Sequence, residues 1–114
     1  SAVVGALQSG ALSYFSNGCP LIVGLDGVVD PNAAAAVRAR TLSDYAAARG
    51  VTHFADWQYN RSAFAALSEH SKWTPGALEL VTAASPQGPD RFELMSVTWP
   101  EGAPVASTKP KCAP

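Results

Sequence analysis

The chain is 114 residues long with 47% hydrophobic residues, enough for one domain with a core of its own and too short for two. Eight basic and nine acidic residues leave a net charge of −1, which offers a polyanion no basic stripe and speaks against nucleic acid. Charged residues make up only 15%, below the ~25% of an average soluble domain, so part of the surface is expected to be apolar.

Ala2 to Leu7 is a short apolar run that reads as a buried strand, and Ser9 caps an expected helix from Gly10 to Phe15. Leu21-Ile22-Val23-Gly24-Leu25 is the clearest strand, apolar on both parities, and is expected at the centre of the sheet with cover on both faces. Asp26-Gly27 breaks it. Asp30-Pro31-Asn32 reads as a helix entrance with proline in the first turn, and Ala33 to Arg40 as the helix. A second helix starts at Thr41 or Ser43, buries Leu42, Tyr45 and Ala46 on one face, and stops at Arg49-Gly50. Val51 to Trp57 reads as a third strand, and Asn60 to His70 as a helix with Phe64 and Leu67 turned inward. After the turn at Trp73 to Gly76, Leu78 to Thr82 forms a fourth strand; a turn-rich loop over Ser85 to Asp90 leads into a fifth over Phe92 to Trp99, antiparallel to the fourth.

Strands alternating with helices predict an α/β fold: a parallel-rich, Rossmann-like sheet of about five strands with flanking helices and a C-terminal edge hairpin. Residues 1–100 are expected as the single domain and 101–114 as a Pro-rich extended tail. No apolar run approaches the ~20 residues of a membrane span, no signal peptide is read, and Ser1 looks like a remnant left where a longer protein was cut.

The chemistry-bearing residues are few. Asp26 and Gly27 stand at the carboxyl end of a strand, where α/β sheets place ligand contacts, and Asp56 ends the next strand and stands as a possible second acid beside Asp26. Asp26 also fits a plain structural role, bonding its own loop amides while Gly27 supplies an unusual φ, and that role is the favoured one. The Gly5 to Gly10 stretch lacks both the dinucleotide and the phosphate-loop spacing, so no cofactor is expected. His53 and His70 have no partner at metal-ligand spacing, and no nucleophile–base set assembles, so neither a metal nor a catalytic residue is assigned. Asn60-Arg61-Ser62 matches a glycosylation acceptor and equally a helix cap. Cys19 and Cys112 are the only cysteines and stand either as a disulfide holding the tail, as in an extracytoplasmic compartment, or as two separate thiols.

Three stretches in order resemble one family. Val4 to Ser16 resembles the segment after the last membrane helix in polytopic glycosyltransferases of the C type, mannosyltransferase-like proteins of bacteria. Ile22-Val23-Gly24-Leu25-Asp26-Gly27-Val28-Val29-Asp30 is similar to that family's "vvNLDGlvN", and Asp44-Tyr45 through Arg49-Gly50-Val51 to its "DYLRERGV". The likeness covers about the first half of the chain; Gly24 and Asp30 replace the family's asparagines, and Leu7 stands where an aromatic is common.

The resemblance implies a domain on the periplasmic face of an integral membrane protein. Such a domain packs on the membrane portion of the same polypeptide and helps recognise an acceptor glycan or polyprenyl-phosphate sugar, while the chemistry stays in the membrane part. The rival readings are a small free-standing enzyme using Asp26 and Asp56, and a protein-interaction module without ligand.

Overall fold

The computed structural model describes residues 2–8, 21–27, 30–85 and 90–105. Its five strands form one mixed sheet: β1 (Val3–Ala6), β2 (Leu21–Gly24), β3 (His53–Trp57), β4 (Ala77–Ala84) and β5 (Phe92–Thr98), in the order β2-β1-β3-β5-β4. β1 runs parallel to both β2 and β3, whereas β5 is antiparallel to both β3 and β4. The sheet is therefore half parallel and half antiparallel, not parallel-rich. β5 does not extend the sheet outward from β4 but fits between β4 and β3, and this insertion makes the second half antiparallel.

Three helices stand among the described residues: α1 (Pro31–Ala39), α2 (Leu42–Ala48) and α3 (Asn60–Ala66). The start of α1 follows from its sequence: the Asp30 carboxylate accepts the Asn32 amide at 2.8 Å, and Pro31 fits a first turn that needs no donor. α1 stops at Arg40 in the left-handed region, and α2 is followed by Gly50 at φ 70°, whose amide reaches the Ala47 carbonyl. Thr41 sits at the N-cap of α2 without a side-chain bond, and the Ser43 hydroxyl instead donates to the Trp73 carbonyl at 2.7 Å.

The core lies between one face of the sheet and these helices. Val3, Val23 and Leu25 meet Ala36 of α1, Leu42 and Ala46 of α2, and Val51, all buried. Gly5 keeps this seam tight, since a Cβ there would lie 3.1 Å from Leu25 and 3.3 Å from Val51. α3 joins through Phe64, whose ring centroid is 4.8 Å from that of Phe54. Trp99, just past β5, closes the far side by donating its indole N–H to the Val51 carbonyl at 2.7 Å.

Two expectations are corrected. β2, read as the central strand, lies at an edge of the described sheet, with Leu21 and Ile22 half-buried and only Val23 and Leu25 fully covered. His70, placed late in a helix, lies in a turn beyond α3, its backbone amide donating to the Arg40 carbonyl. The expected helix over 10–15, both cysteines and residues 106–114 of the tail lie outside the described residues.

Candidate functional site

β1 and β3 end side by side, and Asp56 joins their ends. One carboxylate oxygen accepts the Leu7 amide at 2.6 Å; the other accepts the Trp57 amide at 2.9 Å and the Asn60 side-chain amide at 2.6 Å. The parallel pairing of β1 and β3 brings Leu7 within reach, and one turn of chain after β3 brings Asn60 back. Asn60 is not the helix cap: it is the first residue of α3, and Tyr59 holds the N-cap position, with no side-chain bond.

Asp26 does not share this position. β1 lies between β2 and β3, so Asp26 and Asp56 end strands two spacings apart, roughly 9–10 Å. Asp26 is exposed, and Gly27 turns the chain at φ 79° against Ala34, whose Cα a Cβ would approach to 2.9 Å. The acid that does face Asp56 is Glu93, its register partner on β5. Glu93 is 3% exposed, with Arg61 at 2.6 Å on one oxygen. Arg91 Nε stands 3.4 Å from the other, an ion pair off the hydrogen-bonding direction. Like charges facing each other across a sheet repel, and these donors offset that repulsion. Sequence reading missed Glu93. Its signal was parity: on β5 it alternates onto the same side as Met95 and Val97, where an unpaired acid would not survive.

Beneath the two acids, between the sheet and α3, lies a half-enclosed cavity of about 420 Å³. Its walls are mostly apolar, built from Leu7, Leu25, Phe54, Phe64, Leu78 and Met95; Asp56, Asn60, Arg61, Ser68 and Glu93 supply polar groups. It reaches the carboxyl ends of β1 and β3, where Ala6, Leu7, Asp56 and Trp57 line it and the strand order departs in both directions, the usual place for a crevice in an open sheet. Beside it Trp57 and Tyr59 stack at 6.3 Å and 13°, and the edge of Phe92 meets Trp57 at 5.3 Å. Tyr59 is 54% exposed and donates its hydroxyl hydrogen to the Gln8 side chain at 3.3 Å.

A second polar cluster ties α1 to α2. The Tyr45 hydroxyl donates to Asp30 at 2.7 Å, and Arg49 reaches both, at 2.8 Å to Tyr45 and 3.2 Å to Asp30. The bond from Tyr45, then that from the Asn32 amide, holds the Asp30 carboxyl below its ordinary range; burial first, and the bond to Asp30 second, pushes the Tyr45 phenol up. His53 Nδ1 lies 2.8 Å from the Thr52 hydroxyl, a local contact between chain neighbours at the start of β3. Among the described residues no three His, Cys, Asp or Glu side chains gather as a metal site, and no helix is long and apolar enough to cross a membrane.

Comparison of the chain with protein-family models, with curated proteins and with solved structures gives no match.

Proposed function

We propose that this chain is the extracytoplasmic domain of a bacterial membrane glycosyltransferase of the C type, a binding domain that presents a glycan or polyprenyl-linked sugar to the membrane portion of its own polypeptide. The observation that carries the reading is the rim of the β1–β3 crevice: an aromatic platform, half-buried Trp57 on exposed Tyr59, next to amide and carboxylate groups of Gln8, Asp56 and Asn60. A sugar ring offers an apolar face for such a platform and hydroxyls for such neighbours. Three parallel strands with a carboxyl-end crevice support a Rossmann-like reading of this half of the sheet, with β4 and β5 as a reversed appendage. The exposed apolar side chains of β4, Leu78, Leu80 and Val81, suit packing on the membrane portion.

The free-standing enzyme is less well supported. Its two aspartates stand on opposite sides of β1, and both oxygens of Asp56 already accept hydrogen bonds. Calorimetric titration of the chain with a panel of mannose-containing oligosaccharides tests the proposal. At least one should bind, and Tyr59→Ala should weaken it roughly ten-fold, the worth of one stacked ring, with the melting temperature unchanged. No binding across the panel, or binding indifferent to Tyr59→Ala, would remove the glycan role.

A further inference from the structure

We infer that the cavity under α3 is a binding site for a small uncharged molecule with an apolar body and one hydrogen-bonding group, such as an aliphatic alcohol. The inference does not rest on the glycan reading, which is carried by the stack of Trp57 on Tyr59 at the rim.

The argument begins with size. At about 420 Å³ the cavity falls within the ~300–1,000 Å³ of small-molecule sites and is far too large to be a packing defect. Its shape has a cause in the sequence. α3 is seven residues long and buries none of them fully: Phe64 is half-buried, while Ala63, Ala65 and Ala66 are exposed and too short to fill the space beside it. Only Phe64 and Leu67 reach the core from this segment, and the space beside them stays open between Ala65, Leu78 and Met95.

Charge then narrows the ligand. The ionic groups in the wall are already matched: Asp56 to three donors, Glu93 to Arg61 and Arg91, and Glu69 to Arg40 at 2.6 Å. A ligand ion entering this apolar space would lose its water and have to break one of those pairs to regain a partner. The group still lacking a partner is neutral. Ser68 is 6% exposed, stands in the cavity wall, and its hydroxyl has no hydrogen bond among the described residues. A buried hydroxyl without a bond is a standing deficit that one ligand oxygen removes.

Met95 is the single methionine of the chain and lines the cavity, so its methyl group is a one-signal reporter. The protein labelled at the methionine methyl is titrated by NMR with 1-octanol, octanoate and octylamine, each below its aggregation limit. The expected result is a saturable shift with 1-octanol and binding of both ions weaker by roughly ten-fold or more. Ala65→Phe, which fills the cavity from α3, should abolish the shift, and Ser68→Ala should weaken 1-octanol by about five-fold, one neutral hydrogen bond. If Ala65→Phe unfolds the chain, Leu78→Trp fills the same cavity from the β4 side. No saturable shift, equal binding of the ions, or a shift that survives the filled cavity of a folded variant would each overturn the inference.

Discussion

Asp56 holds the amides of Leu7 and Trp57 and the side chain of Asn60 at once, so it fastens the ends of two strands and the start of a helix. Asp56→Asn keeps the shape but gives one of its donors a donor to face. The expected loss is about 1–3 kcal/mol, or several degrees in melting temperature for a chain of this size, read by thermal circular dichroism. An unchanged melting temperature would mean that the strand ends are held by something else. The Asp30–Tyr45 pair makes a prediction in pH. Folding lowers the Asp30 carboxyl, so its contribution is in place at neutral pH and is lost as the pH falls below the ordinary carboxylate value and through the lower folded one. Folding raises the Tyr45 phenol, so its contribution is whole below its ordinary value of 10.0 and is lost as the pH rises through the folded one. Tyr45→Phe should therefore flatten both the acid and the alkaline limbs of a plot of melting temperature against pH. A plot unchanged in shape would show that the pair does not couple to folding.

Signals carried within one segment were legible in the sequence, and those that depend on which segments meet were not. Asp30-Pro31 and Arg49-Gly50 mark a helix start and stop through bonds to their own neighbours, and they appear as read. The closing hairpin was also legible, since a turn-rich loop leaves its two flanking strands few ways to pair. The position of β2 was not. An apolar, β-branched run reads the same at a sheet centre and at an edge that helices cover, and Val23 and Leu25 take their cover from the helical side. Leu25→Ala should then cost about 2–5 kcal/mol in urea unfolding, while Ile22→Ala, half-buried on the opposite parity, should cost about 1 kcal/mol. Equal losses would return β2 to the centre. The candidate site was half legible: Asp56 stands at a strand end as read, but its neighbour is Glu93 and not Asp26, because the register of β3 on β5 decides it.

For the whole molecule the exposed half of the sheet matters most. All eight residues of β4 are exposed, Val81 by 55% at the bulge opposite β5, and an apolar strand edge of this length pairs readily with another. The isolated chain should associate as its concentration rises, and Val81→Lys should keep it monomeric by light scattering with stability changed by less than ~0.5 kcal/mol. Association that is unaffected by the lysine would place the contact elsewhere. The insertion of β5 between β3 and β4 also sets an order of events in time. A growing chain emerging from the ribosome lays down β1, β2 and β3 first, but the open side of β3 is closed by a strand that comes off last, and Val51 waits for Trp99. Nascent chains halted before residue 92 should stay open to protease, and resistance should arrive abruptly once residues 92–99 have cleared the exit tunnel. The sheet is thus finished from its middle, by the last of the described strands to be made.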